Sequence, residues 1–440
     1  MNEINLNVSR GSFFKLYSSI SVLLGSSLIL AVPNGHSVGA ILLLLGGAVF
    51  LLLSFLGHPV NKVSSFDTNV FIIFLVAYFG LNIALNYLHD LPVRSFDLPS
   101  RFILFIPIFL FLLHYPPNKR FLWLGISVGA ILSGAIAAYQ QFSLMPKEGG
   151  EERANGFLNA IQFGDISMLL ACLILCHFCF RPPQKNLSLI SAFFIFSIAC
   201  GILGSLLSKT RGGWIVFPLS VFIIYILSDS EKRKYLRKIF LAAAIFCLAI
   251  TFLMPAKYNF LAERAYRTSV EIRGVLDGDK VGGYTEYTSL SVRIKLWKNG
   301  LQAFYDKPII GWGSVKEIKE HHPAGWDILK YVDDFNHYHN EVVDTLAKKG
   351  LFGLSGLIAL YLIPFIHFST SIRNLNASNI DFAIAGIVLV ISTMVFGFTQ
   401  CFFAHSSGVM VYLYFLVLFY SAVNSYKSKA EMGCDVKLET

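Results

Sequence analysis

Charge is scarce in this sequence. Only 14% of its 440 residues are Asp, Glu, Lys or Arg, against 55% apolar residues and a mean hydropathy of +0.60. So few charges cannot clothe a soluble globule of this length, which excludes the water-soluble classes and leaves a polytopic membrane protein. Cysteine is scarce as well. Cys172, Cys176, Cys179, Cys200 and Cys247 lie in apolar runs, Cys434 in the terminal tail and Cys401 at the edge of a run. The long polar segment from about Pro255 to Lys349 has none, so it holds neither a disulfide framework nor a Cys/His zinc module and must fold by packing. Internal repeats and low-complexity linkers are missing. The first apolar run lacks a convincing small-residue cleavage site and is followed at once by a second, so it reads as a retained helix.

What is present is a series of apolar runs, each of about 17 to 25 residues and long enough to cross a bilayer. Roughly twelve are expected, beginning near Phe13, Val38, Val70, Phe102, Phe121, Phe163, Leu187, Trp214, Ile239, Leu351, Phe382 and Val409. The fold class expected is an all-α polytopic membrane protein of about twelve transmembrane helices with one large, mainly helical periplasmic loop. The domain reading is a membrane domain over 1–254 with spans 1–9, a loop subdomain over 255–349, and spans 10–12 with a cytoplasmic tail over 350–440. Basic residues resist translocation. With the amino terminus inside, the inner side receives Arg10, Lys62, Lys119, Arg120, Arg181, Lys185, the cluster Lys232, Arg233, Lys234, Arg237 and Lys238, then Arg373, Lys427, Lys429 and Lys437. The short outer loops keep Arg94, Arg101, Lys147, Arg153, Lys209 and Arg211. Both termini are then cytoplasmic and the long polar segment lies outside. The net charge of +9 is mostly this topological bias near anionic lipid, not a nucleic-acid surface.

Chemistry is therefore sought on the outer side. Asn336 to Leu354 closes the polar segment, and read as a helix it places His339 on one arc with Val342, Val343, Leu346 and Gly350, with Glu341, Asp344 and Lys348 opposite. Residue type alone leaves a hydrogen-bonded core histidine and a functional one both open. Arg101 lies just inside the end of a span, where snorkelling and function are both open. Arg153, Gly156 and Asn159 sit in a polar glycine-bearing loop. Ser208-Lys-Thr-Arg-Gly-Gly-Trp214 is a very short turn whose glycines allow close backbone approach beside Lys209 and Arg211, a plausible anion site. Ser289 to Asp306 reads as a Ser-capped helix with Arg293 amid Leu296, Trp297, Gly300, Leu301 and Phe304. That charge needs a carboxylate or a substrate anion as partner. The tight loop Lys307 to Gly313 follows. Near the end, Gly397 to Gly408 carries His405, which either lines a site or caps two helices. Asp333 and Asp334 are adjacent without a ligand cluster and read as a solvated turn.

Taken in order, Arg101, the Arg153 to Asn159 loop, Thr-Arg-Gly-Gly-Trp at Arg211, Arg293, the Pro308 to Gly313 loop and the spacing His339-Asn340, nine residues, Gly350, two residues, Gly353 resemble the O-antigen ligase and O-antigen polymerase superfamily from about Asp97 to Gly353. The resemblance implies a metal-independent, inverting transferase without a cofactor, set in the inner membrane of a Gram-negative bacterium with its site facing the periplasm. Its donor would be O-antigen on undecaprenyl pyrophosphate and its acceptor the lipid A-core, with membrane lipids as the other partners. It makes His339 the catalytic base and Arg211 and Arg293 the pyrophosphate ligands, supported by Arg101, Arg153, Lys209, His337, Asn340 and His405. An O-antigen polymerase or a protein O-oligosaccharyltransferase shares the fold and donor. A flippase would also be a many-span protein, but would more often show ionisable groups at mid-membrane.

Overall fold

The apolar runs do form helices in the computed structural model, which describes residues 2–57, 66–144, 153–181, 189–234, 236–237, 269–270, 272–273, 280–281, 284–285, 289–321, 336–375 and 379–431. The span expected from Ile239 lies outside the described residues, as do Lys62, Lys147, Lys185, Lys238, Cys247, Asp333, Asp334, Cys434 and Lys437. The helices are α1 (Asn2–Leu28), α2 (Gly35–Phe55), α3 (Phe66–Leu88), α4 (Asp97–His114), α5 (Lys119–Tyr139), α6 (Ala160–Phe180), α7 (Leu189–Leu207) and α8 (Arg211–Leu227). After them come α9 (Ser289–Asp306), α10 (Val315–His321), α11 (Glu341–Ser371), α12 (Ile380–Thr399) and α13 (Ser406–Glu431). The only strands among the described residues are the two-residue pair Lys280–Val281 and Tyr284–Thr285. The chain is an all-α polytopic membrane protein. Among the described residues nine helices are long and apolar enough to cross a bilayer. The run near Trp214 gives the 17-residue α8, just short of that length, and α1, with Glu3, Arg10 and Lys15 in its first half, falls outside the nine.

Burial ranks these helices into layers. The most apolar stretches of α13, α6 and α12 are 94%, 83% and 72% buried, while those of α2, α3 and α7 are 33% buried. The first three therefore form the protein-lined centre and the others the rim, where Leu45, Leu52, Ile73, Phe196 and Ile358 point outward as lipid-facing side chains. Tyrosines tie α13 to its surroundings: Tyr412 donates to the Leu360 carbonyl of α11 at 2.6 Å, Tyr414 to that of Val22 in α1 at 3.1 Å, and Tyr420 to that of Asp67 in α3 at 3.2 Å. Each of these bonds offsets the cost of burying a hydroxyl in this low-dielectric interior. At one end of the bundle, buried Asp381 of α12 holds Lys119 of α5 and His177 of α6, each at 2.7 Å. The site described below lies at the other end.

A second, smaller core forms beside that end, from Leu296 and Ala303 of α9, Trp312, Val315 and Ile318, Tyr338, and Val343 and Ala347 of α11. Helix α9 has the expected bounds, but its buried face runs along Leu296, Gly300 and Ala303, and Leu301, expected on that face, is 38% exposed.

Candidate functional site

Helix α11 is broken. Asn340 caps it, its side-chain oxygen accepting from the Val342 and Val343 amides at 3.0 and 3.1 Å, and after nine intervening residues Gly350 leaves helical geometry at φ 59°, ψ −154°. The Pro308–Gly313 loop is spliced into the gap. Trp312 and Gly313 amides donate to the Ala347 and Lys348 carbonyls at 3.0 and 2.8 Å, while the Leu351 and Phe352 amides donate to the Pro308 and Ile309 carbonyls at 2.8 and 3.2 Å. The backbone groups that the break releases are thus satisfied by the loop, as burial demands. Glycine is required at 350 for two reasons: its φ is left-handed, and a Cβ there would lie 2.4 Å from the Ile309 carbonyl. The loop is held from three sides. Trp312 Nε1 donates to the Ala303 carbonyl at 2.8 Å, Lys307 Nζ sits 3.7 Å over the Trp312 ring, and His89, just past α3, donates through Nε2 to the Ile310 carbonyl at 2.9 Å. The spacing from His339-Asn340 to Gly350 is the length of the short helical piece that this splice orients.

His339 is not on that helix. The expected wheel fails because the Asn340 cap starts α11 at Glu341, and His339 stands before it with φ 51°, a left-handed value rare for a side-chain-bearing residue. The wheel also misplaces the charged residues. Glu341 and Asp344 are buried, each 8% exposed, and both clamp the site. Asp344 accepts from the Tyr338 amide at 3.1 Å and pairs with Lys348 at 2.8 Å, Lys348 also donates to the Asn336 carbonyl at 2.7 Å, and Glu341 accepts from the Phe403 amide at 2.9 Å. Asn340, expected as a supporting site residue, has its side chain occupied: besides capping α11 it donates to the Phe398 carbonyl at 3.3 Å.

Three histidines gather here. The rings of His337 and His339 are 4.4 Å apart at 81°, and those of His337 and His405 are 5.6 Å apart at 75°. Gln400, between α12 and α13, links two of them: its oxygen accepts from His339 Nδ1 and its nitrogen donates to His405 Nε2 at 3.1 Å. An amide oxygen can only accept, so Nδ1 of His339 carries the proton and Nε2 is the basic nitrogen of the ring. Burial, with the nearby Arg293 cation and His405 contributing, pushes the His339 pKa down to about 4 against the hydrogen bond from Gln400. Burial and its histidine neighbours bring His337 down to about 4, and burial lowers His405. All three are neutral near pH 7. Among the described residues no group of His, Cys, Asp or Glu has metal-binding geometry. Gln400 escaped the sequence reading, because an amide in a turn 61 residues from its partner leaves no pattern.

The arginines approach from α6, α8 and α9. Arg153 donates to the Ser208 carbonyl at 2.8 Å and to Thr210 Oγ1 at 3.2 Å, holding its loop on the short turn before α8. That turn bends through Lys209 at φ 56°, Arg211 opens α8, and Gly212 packs so closely on α12 that a Cβ would fall 2.1 Å from Thr399 Oγ1. Arg211 is thus two residues of contact away from Gln400. Arg293 acts electrostatically on His339 and, with Arg153, on Asp165 of α6. Asp165 is fully buried, and neither of its oxygens has a hydrogen-bond partner among the described residues. This acidic side chain, also unforeseen from sequence, lies within the electrostatic reach of both arginines. Arg101 is placed differently: its guanidinium bridges Asp97 at 2.8 Å and the Ser406 carbonyl at 3.1 Å, which fixes the turn behind His405. At His339 the field of Arg293 therefore meets a neutral imidazole with its basic nitrogen defined.

Beside the histidines, a cavity of about 500 Å³ opens between the ends of α3 and α4 and the start of α11. His337, His405, Glu341 and Asp344 line it.

Residues 192–358 match the O-antigen ligase family. The matched stretch holds Arg211, Arg293, the Pro308–Gly313 loop, His339 and Gly350. A protein of Haemophilus influenzae described as uncharacterized is 29% identical over 402 residues, covering 89% of this chain and 94% of its own. A ComP-specific O-oligosaccharyltransferase of Acinetobacter baylyi is 25% identical over 274 residues, covering 58% of this chain and 44% of its own.

Proposed function

We propose, from the match of residues 192–358 to the O-antigen ligase family, that the chain is a glycosyl-transferring membrane enzyme and that it transfers O-antigen polysaccharide from undecaprenyl pyrophosphate to the lipid A-core of lipopolysaccharide. The observation that carries the reading is the meeting of His339, its tautomer set by Gln400, with the field of Arg293. In this reading the site end of the bundle faces the periplasm, the membrane is the Gram-negative inner membrane and both termini are cytoplasmic, which the distribution of Lys and Arg supports.

Nε2 of His339 takes the proton from an acceptor-sugar hydroxyl as its oxygen attacks the anomeric carbon of the donor. The bond from that carbon to the pyrophosphate oxygen breaks with its electron pair, and undecaprenyl pyrophosphate leaves. Attack from the face opposite the leaving group inverts the anomeric centre. No nucleotide is consumed, because the donor already stores the energy. Arg211 and Arg293, with Arg153 and Lys209 behind them, stabilise the charge that develops on the leaving phosphates. Arginine suits this task because its planar fork binds phosphate oxygens bidentately and stays charged at any working pH. A pyrophosphate beside Arg293 offsets one of the influences that hold His339 low, so donor binding makes the base stronger.

A second reading rests on the similarity to the ComP-specific O-oligosaccharyltransferase, in which the acceptor is a protein side chain. The experiment that separates the readings is a deletion strain analysed for lipopolysaccharide and lipid-linked glycan together. Core-only lipopolysaccharide with long lipid-linked chains supports ligation. Intact lipopolysaccharide with loss of a glycosylated protein supports the second reading, and short lipid-linked units point to a polymerase.

A further inference from the structure

The mechanism above places the donor among arginines and leaves the acceptor unplaced. The cavity of about 500 Å³ supplies a place for it, within the roughly 300 to 1,000 Å³ usual for ligand pockets. Its chemistry differs from that of the cation cluster. None of Arg153, Arg211 and Arg293 lines it, and its acidic and basic side chains are Glu341, Asp344, Lys348 and Lys349. These charges are also pinned: Lys348 on Asp344, Lys349 on Asn82, and Glu341 under the Phe403 amide. A wall whose lysines are already engaged and which none of these arginines lines offers a pyrophosphate no guanidinium fork, but it offers many oriented donors and acceptors to a neutral polyhydroxyl ring. Tyr78 and Phe102, with ring centroids 4.3 Å apart, and Phe403 add the flat apolar surfaces on which the C–H faces of a sugar pack. His337 and His405 belong both to the cavity wall and to the histidine cluster, so a ligand held here reaches the cluster from the side of these two rings.

We propose that this cavity is the acceptor subsite, binding the terminal sugar of the acceptor saccharide through hydroxyl contacts and presenting one hydroxyl to the histidine cluster. The proposal rests on the transferase reading given above. It divides the substrates between two places: the anionic donor on the arginine side, the acceptor sugar in the cavity that none of those arginines lines.

Ser95 tests it with least damage, since it lines the cavity from a short surface turn and its only bond to a neighbour in the wall, from Asn86 at 2.9 Å, is accepted by its backbone carbonyl. Purified Ser95→Trp and Ser95→Ala, reconstituted in lipid discs, are assayed with lipid A-core from a deletion strain and with the undecaprenyl pyrophosphate-linked glycan. Ser95→Trp is expected to raise the KM for lipid A-core about tenfold or more and leave the donor KM within about twofold, with Ser95→Ala, which removes one wall hydroxyl, raising the acceptor KM by less. In parallel, Ser95→Cys is labelled with a membrane-impermeant maleimide, and lipid A-core is expected to protect it where the donor does not. A rise in donor KM, protection by donor alone, protection by a Ser-bearing peptide but not by lipid A-core, or no effect in either assay overturns the subsite. If wild type transfers to lipid A-core while Ser95 variants and labelling are indifferent, the cavity assignment fails and the transferase reading stands. If wild type transfers nothing to lipid A-core, the transferase reading fails, and the protection assay still decides whether the cavity holds a saccharide.

Discussion

Replacing Gln400 by Glu changes one atom group and tests the whole electrostatic account of His339. In the native site the ring donates from Nδ1 to a neutral amide oxygen, and burial together with Arg293 sets its pKa at about 4. A carboxylate at the same position is an opposite charge in contact, which favours the imidazolium by roughly 1 to 3 pH units and brings the midpoint to between about 5 and about 7. Taking the middle of that range, a midpoint near 6, the variant keeps about one tenth of its plateau rate at about pH 5, where the native enzyme keeps about nine-tenths. The sign follows from the role: the neutral ring is the base, so rate is lost as pH falls through the midpoint. The assay is initial transfer rate against pH with donor and acceptor well below their KM, where the profile reports the free enzyme. Gln400→Leu completes the test, since it removes the acceptor that fixes the tautomer and is expected to lower the plateau by up to about a hundredfold. If both variants keep the native plateau and a midpoint near 4, Gln400 does not govern His339 and the assigned tautomer is wrong.

Four further outcomes are expected. His339→Gln should leave a folded protein that binds donor and transfers roughly 10² to 10⁴ times more slowly, with thermal stability separating this from a packing defect; His337→Ala, in ring contact with it, should also lose rate but less. Arg211→Ala and Arg293→Ala should raise donor KM and lower kcat, with Lys replacements recovering only part and Lys295→Ala doing little; unchanged donor kinetics in both alanine variants would remove the phosphate clamp. Gly350→Ala, which would press a Cβ to 2.4 Å from the Ile309 carbonyl, should cost about 1 to 3 kcal/mol of stability and slow turnover, read by thermal unfolding and kcat. For stability against pH, the unfolded chain takes up protons at His337 and His339 below about 6.5 whereas the folded one resists until about 4, so this contribution is whole above 6.5 and should be lost progressively between the two in a denaturation series.

Much of this was legible in the sequence, and the reason differs from element to element. Nine of the expected spans appear because a bilayer-length apolar run has few alternatives to a helix. Helix α9 was readable to the residue, since Ser289 and the break at Lys307-Pro308 punctuate it. The His339 to Gly353 spacing was visible as a pattern, yet its cause was not, because the gap at Gly350 is filled by a loop some forty residues earlier. The helix wheel failed at His339 for a local reason, the capping preference of Asn340, which outweighs continuation of the helix. It failed at Glu341 and Asp344 for a tertiary one: a wheel knows nothing of the turn at Phe403 or of Tyr338, whose amides those carboxylates accept. Gln400 and Asp165 gave no signal, as each has meaning only through a neighbour on another helix.

Membrane thickness and lipid composition change with growth conditions, and spanning helices respond by tilting and sliding. In α11 that motion stops at Gly350. Above the break, the short helical piece takes its bearings from α9, from His89 and from the Pro308–Gly313 loop, whose four amide bonds act as a hinge plate set across the joint. The lower half can lean with the bilayer while the upper half stays registered to the neighbouring helices. His339 is therefore levelled against the protein and not against the lipid, and the proposed transfer between two lipid-anchored molecules would be insulated from the softness of the sheet in which both of them float.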